Sequence, residues 1–195
     1  MEKKFISGLW WPSTDRHAHM VLPQEAREAI PRVLKHLKAR RLCLQAGGNA
    51  GAYPIMLSGF FDKVITFEPE PENFECLKKN NLQGNLEIRQ EALGDREDKV
   101  GIWVNKVNMG ECRITGRGDI LMTKIDLLDL KVCDLIWLDI EGYELPALKG
   151  AEETIKKFGP LIVVENNQEP ETGKWLSQFG YQDSEIISRD IIYAR

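Results

Sequence analysis

Five positions in this chain stand where a short apolar run stops: Gln45, Glu68, Glu91, Asp139 and Glu165. The runs before them (Leu42-Cys43-Leu44, Val64-Ile65-Thr66-Phe67, Leu86-Glu87-Ile88-Arg89, Asp134-Leu135-Ile136-Trp137-Leu138, Leu161-Ile162-Val163-Val164) read as strands of one sheet. In parallel α/β sheets, ligands bind beyond the carboxyl ends of the strands. Four of the five ends are acidic although the strands leading to them are almost wholly apolar. Acids gathered on one sheet edge suit ribose hydroxyls, a cationic ammonium and sulfonium, or a metal ion.

The first of these ends opens into Gly47-Gly48-Asn49-Ala50-Gly51, followed by Tyr53-Pro54-Ile55-Met56-Leu57, which reads as a helix with Pro54 in its first turn. Strand, glycine turn and helix make the first half of a nucleotide-binding βαβ unit. Glu68 falls about twenty residues later, where an acid can accept hydrogen bonds from both ribose hydroxyls. Glu91 and Ala92 fall at the rim expected for an adenine ring. A dinucleotide site wants Gly-x-Gly-x-x-Gly, whereas the best register here, Ala46-x-Gly48-x-x-Gly51, is one glycine short. Gly47-x-x-x-Gly51 fits the looser turn that holds S-adenosylmethionine, which has no phosphate to cradle. The expected cofactor contacts are therefore Gln45, Gly47, Gly48, Asn49, Gly51, Glu68, Glu91, Ala92 and Asp139.

The elements that must position these residues alternate. Helices are expected over 23–40, with Pro31 a restart point, over 71–80, on to Leu148, over 151–158 and over 175–179. A hairpin around Asn108-Met109-Gly110 joins strands at 100–104 and 113–115, with 121–126 as a lead-in to the next core strand. Antiparallel strands at 181–187 and 191–193 close the sheet. Alternation of this kind implies a mostly parallel sheet with helices on both faces. Residues 1–22 read as an N-terminal arm, irregular over 5–22 and packed by Trp10 and Trp11, and 23–195 as the domain proper.

A chain of 195 residues with a net charge of −4 supports one domain and argues against a dedicated nucleic-acid binder. It has no run of about eighteen apolar residues to span a membrane, and its first residues lack the apolar core of a signal peptide. Cys43, Cys76, Cys112 and Cys133 have no paired spacing and read as free thiols in a reducing cytoplasm.

Taken together, Gly47-Gly48-Asn49-Ala50-Gly51, Phe67-Glu68-Pro69, Ala92-Leu93-Gly94, Ile125-Asp126, and Asp139-Ile140-Glu141-Gly142-Tyr143-Glu144 with Leu148-Lys149-Gly150-Ala151 resemble the FkbM-type family of S-adenosylmethionine-dependent methyltransferases over roughly 40–195. The resemblance implies a class I methyltransferase fold (Rossmann-like), with a seven-stranded, mostly parallel sheet. It also implies methyl transfer to oxygen, on a sugar or small metabolite. One residue departs from the pattern: the family usually has Asp where this chain has Gln45, and that acid helps to hold the methionine end of the cofactor. The Gln-Ala-Gly-Gly-Asn spelling is similar to that of phage- and virus-encoded members, which would act in a host cytoplasm.

A hydroxyl acceptor must lose its proton, to a base or with help from a metal. Asp139 is the expected base; capping the next helix or holding the cofactor's ammonium is an equally open role. Asp139, Glu165 and Asn166 also resemble the magnesium set of catechol-type O-methyltransferases, but metal-independent action is the expectation because that match is partial. The expected partner is a small-molecule or glycan acceptor, with oligomeric state undetermined. The rivals are a nucleotide-dependent oxidoreductase and a non-catalytic cofactor-binding module of the same fold.

Overall fold

A computed structural model describes residues 2–165, 170–187 and 189–195. The chain opens on a hairpin, β1 (Lys3–Ile6) and β2 (Leu9–Pro12), closed by Ser7 and Gly8 at φ 52° and 85°. Two positive φ angles give a turn whose twist matches that of the strands. The expected irregular arm is thus partly ordered. Its strands are too short to show a period, and their turn is marked only by Ser-Gly. Trp11 is fully buried, as expected, packed with residues such as Leu22, Ala50 and Cys76.

Helix α1 (Ala18–Val33) begins inside the expected arm. Its start is supported by Asp15, whose carboxylate accepts the backbone N–H groups of Ala18 (3.1 Å) and His19 (3.0 Å) and the His19 ring (2.7 Å). Pro31 lies within the helix, which runs two residues further and tightens into a 3-10 turn, Leu34–His36. The buried face of α1 is Ala18, Leu22, Ala26, Ala29, Ile30 and Val33, at helical spacing.

The remaining elements follow the alternation: β3 (Leu42–Ala46), α2 (Ala52–Ser58), β4 (Lys63–Phe67), α3 (Pro71–Asn80), β5 (Leu86–Arg89), β6 (Ala92–Leu93), β7 (Asp98–Val104), β8 (Cys112–Thr123), a 3-10 turn Ile125–Leu128, β9 (Leu135–Leu138), α4 (Glu144–Lys149), α5 (Glu152–Phe158), β10 (Leu161–Glu165), α6 (Pro170–Ser177), β11 (Gln182–Ile187) and β12 (Asp190–Ala194). Seven of the strands form one sheet in the order β11-β12-β10-β9-β3-β4-β5. β12 pairs antiparallel with β10 and β11, and the other pairings are parallel.

Side chains alternate across the central strands. Leu44, Ile65, Ile136 and Ile162 face Leu148, Ile155 and Leu176 from α4, α5 and α6. Cys43, Val64, Leu135 and Val163 face Ala26, Ile30 and Leu57 from α1 and α2. Both faces are therefore covered, which is why these strands read as continuous apolar runs. β7 and β8 form the expected hairpin beside the sheet, joined to β6. β8 is longer than expected and takes in Leu121–Thr123, which had read as a lead-in. All four cysteines are free thiols. No helix among the described residues is long and apolar enough to cross a membrane.

Candidate functional site

β3 pairs with β4 on one side and β9 on the other, so the chain leaves the sheet in opposite directions around the end of β3. At this switch point lies a cleft of about 230 Å³. The turn after β3 is pinned by Gly47 and Gly48, whose N–H groups both donate to the Phe67 carbonyl, at 3.1 and 3.0 Å. Gly47 adopts φ +83°, and a Cβ there would overlap the backbone carbonyl of Asp139. A Cβ on Gly48 would come to 2.8 Å from Thr66 Oγ1. The missing side chains let the turn pack against Asp139 and Thr66, and Gly47, Gly48 and Asn49 line the cleft.

Asn49 sits at φ +46°, in the left-handed region that Asn tolerates, and its N–H donates to Glu68 Oε2 at 2.6 Å. Glu68 Oε1 accepts from the Glu70 N–H at 2.8 Å. Burial pushes the Glu68 carboxyl up to about 7, against the two backbone N–H groups that favour its charge and with Glu70 adding repulsion. The Asn73 side chain also favours the charged form, and the carboxylate keeps acceptor capacity beyond these donors. Nearby, Asn73 is buried and lines the cleft; its Nδ2 donates to the Met109 carbonyl at 2.7 Å, while its Oδ1 has no partner among the described residues.

Of the residues expected to contact a cofactor, Gly47, Gly48, Asn49, Glu68, Glu91, Ala92 and Asp139 line the cleft. Gln45 and Gly51 do not. Gln45 is buried: its Nε2 donates to the Ala46 and Gly47 carbonyls (2.9 and 3.1 Å) and its Oε1 accepts from Thr66 Oγ1. The amide braces the loop from beneath, and Gln45 is not among the residues that line the cleft. Gly51 begins α2 at φ +107°, and a Cβ there would meet Ile55 Cδ1 at 2.6 Å and Leu77 Cδ1 at 3.1 Å. Its constraint is backbone conformation and packing, away from the ligand surface.

Asp139 follows β9, with its N–H donating to the Ala46 carbonyl at 3.1 Å. Loss of solvent holds its carboxyl well above the usual range; Glu165 and Asp190 push the same way, and Arg189 opposes. Glu141 stands at φ +56°, a left-handed conformation costly for a Glu. Desolvation, then the charges of Glu165 and Glu111, raise it to about 7. Carboxylate oxygens of Asp139, Glu141 and Glu165 lie within 4.8 Å of one another. Asn166, the third member of the magnesium-like set, lies outside the described residues. Glu165 Oε1 is paired with Arg189 at 3.2 Å.

Several lining residues gave no sequence signal. Ala18, Val21, Leu22 and Glu25 form a wall from α1, Tyr53 comes from α2, and Arg113 and Arg189 also line the cleft. The Tyr53 ring packs edge-on against Trp137, with centroids 5.3 Å apart.

Residues 119–188 match the family model of the methyltransferase FkbM domain. That span contains Asp139–Glu144, the most specific block of the resemblance, which is borne out there; the glycine loop lies outside it. Among solved structures, the chain superposes on Methyltransferase FkbM from Methylobacillus flagellatus KT with a TM-score of 0.57 at 20% identity, covering 80% of this chain and 43% of that one. This is the fold of the class I methyltransferases. Precorrin-6y C5,15-methyltransferase from Geobacter metallireducens GS-15 gives a TM-score of 0.56 at 9% identity, covering 95% and 92% of the two chains. Magnesium protoporphyrin IX methyltransferase from Synechocystis PCC 6803, solved with bound SAM, gives 0.52 at 9%, covering 91% and 81%. The present chain thus spans less than half of the Methylobacillus protein and most of the other two. No curated protein matches it.

Proposed function

We propose that this protein is an S-adenosylmethionine-dependent methyltransferase acting on a hydroxyl of a sugar or other small metabolite. The observation that carries this reading is the meeting, in one cleft, of the Gly47–Asn49 turn, the buried Glu68 and Asp139. The donor set suits such a cofactor. Glu68 has spare acceptor capacity for a ribose diol, Glu91 and Ala92 line the place for an adenine, and an acid-rich wall favours a sulfonium over a diphosphate. Bound there, S-adenosylmethionine supplies a methyl group on a positively charged sulfur.

The residues around it orient and deprotonate. Methyl transfer needs donor and acceptor in line and at close range, so a rigid turn fixed by Gly47 and Gly48 on the Phe67 carbonyl serves geometry first. Asp139 is the base for the acceptor hydroxyl: burial makes its carboxylate more basic than an exposed aspartate. The reading is metal-independent, because Glu165 already faces the Arg189 guanidinium. The apolar members of the cleft, such as Leu22, Phe67 and Ile114, exclude water from the reaction.

Calorimetric titration tests the reading. S-adenosylmethionine and S-adenosylhomocysteine should bind and NADH should not. Binding of NADH alone would favour the oxidoreductase reading, and cofactor binding with no transfer to any of a panel of hydroxylated acceptors would favour a non-catalytic module.

A further inference from the structure

An α-amino acid carries an ammonium and a carboxylate side by side, so a site that grips one presents an acid beside a cation. Gln45 cannot supply the acid, since its amide is engaged beneath the loop. Two arginines line the cleft. Arg113 pairs with Glu111, which is not part of the lining. Arg189, at the turn before β12, bridges Glu165 at 3.2 Å and Glu25 at 3.6 Å.

Glu25 is the charged member of the α1 wall formed with Ala18, Val21 and Leu22, spaced so that all four share one helix face. Its side chain keeps 28% of its surface open and that of Arg189 keeps 53%, so the pair is loose and accessible. The Tyr53 hydroxyl makes no hydrogen bond among the described residues. Tyr53, Glu25, Asp139 and Arg189 line the same cleft, and burial with the charges of Asp190, Asp139 and Glu25 pushes the Tyr53 pKa up, with Arg189 opposing. Glu68 and Asp139 follow strands two places apart, about 10 Å at ordinary strand spacing. A cofactor with its ribose at Glu68 and its sulfur toward Asp139 therefore directs its tail to this corner.

We propose that Glu25 and Arg189, with the Tyr53 hydroxyl alongside, hold the amino-acid end of the cofactor. Glu25 takes the ammonium and Arg189 the carboxylate, in place of the acid usual at position 45. The forked guanidinium suits a carboxylate, which it can grip with two parallel bonds. The assignment rests on the methyltransferase reading above.

The test is titration of the full-length protein with three ligands. They are S-adenosylhomocysteine, its decarboxylated analogue, and 5′-methylthioadenosine, which lacks the whole tail. Glu25→Gln should weaken the first two by about tenfold to a hundredfold and Arg189→Met should weaken only the first by a similar factor, each losing a charge-assisted bond. Methylthioadenosine affinity should not change in either variant. Folded variants that bind S-adenosylhomocysteine like the wild type would overturn the assignment, as would equal losses for all three ligands. A wild type that binds none of the three would instead refute the methyltransferase reading beneath it.

Discussion

Gly47 faces the backbone carbonyl of Asp139 so closely that residue 47 has no room for a Cβ. The cofactor turn and the proposed base are therefore held in register by main chain alone. Gly47→Ala should force the two strand ends apart and adds a left-handed non-glycine residue, which costs on the order of 1–3 kcal/mol. Calorimetry should show a lower Tm together with loss of S-adenosylhomocysteine binding; retention of both would break the link between the turn and Asp139.

Gly51→Ala should behave differently. It too requires a positive φ, and its Cβ would press on the flexible end of Ile55. Stability should fall by a similar 1–3 kcal/mol, while cofactor affinity holds in the folded fraction, because residue 51 is not on the cleft. A selective loss of binding would return Gly51 to the ligand surface.

Glu68 should make cofactor binding pH-dependent. Its carboxyl is raised to about 7, and its ionised form is the better acceptor for a diol. Affinity for S-adenosylhomocysteine should thus rise with pH up to about 7, by as much as about tenfold per unit, and level off above. Glu68→Gln should lower affinity by about 1.5–3 kcal/mol and flatten the dependence. A wild type with the same affinity at pH 6 and pH 8 would remove Glu68 from the ribose.

Asp139→Asn should slow methyl transfer by about 10²–10⁴-fold and leave cofactor affinity nearly intact, as expected for a lost base. Wild-type turnover should be indifferent to EDTA. Activity abolished by EDTA and restored by Mg²⁺ would assign Asp139 to a metal instead. Weakened cofactor binding would assign it to the ammonium.

The empty protein should gain stability on mild acidification. Desolvation raises Glu68, Glu141 and Asp190 each to about 7 from values near 4 in the unfolded chain. Between those limits the folded state binds more protons than the unfolded state, so stability falls as pH rises through the window. The Tm should be higher at pH 5.5 than at pH 8, with the difference reduced in Glu141→Gln. A Tm that climbs steadily to pH 8 would contradict these environments.

The central strands were legible because both faces of each are covered, leaving Leu44 and Ile136 no reason to alternate with polar residues. The strand ends were legible too, since Glu68 and Asp139 interrupt those runs with charge. Which way a side chain turns at such an end was not. Gln45 and Gly51 sit within a few residues of the cleft and still belong to the loop's underside and to the helix seat. Glu25, Tyr53 and Arg189 come from three elements far apart in sequence, and no spacing between them announces that they meet. The start of α1 was hidden because its supporting acid, Asp15, stands three residues before the first helical position, among residues that otherwise resemble a loop.

Asp15 also accepts the N–H of Met109, ninety-four residues away, at 3.2 Å, and the Met109 carbonyl in turn receives the side-chain amides of Asn49 and Asn73. As the chain emerges from the ribosome, Asp15 is made early and must wait for more than half of the protein before its set of donors is complete. A carboxylate short of donors resists burial, so the seating of the first segment depends on the loop that carries Met109. Asn49 depends on the same loop. The ligand turn is thus held from residue 109 as well as from the sheet beneath it, and a nascent chain released before Met109 would carry β3, β4 and β5 but neither β9 nor that support.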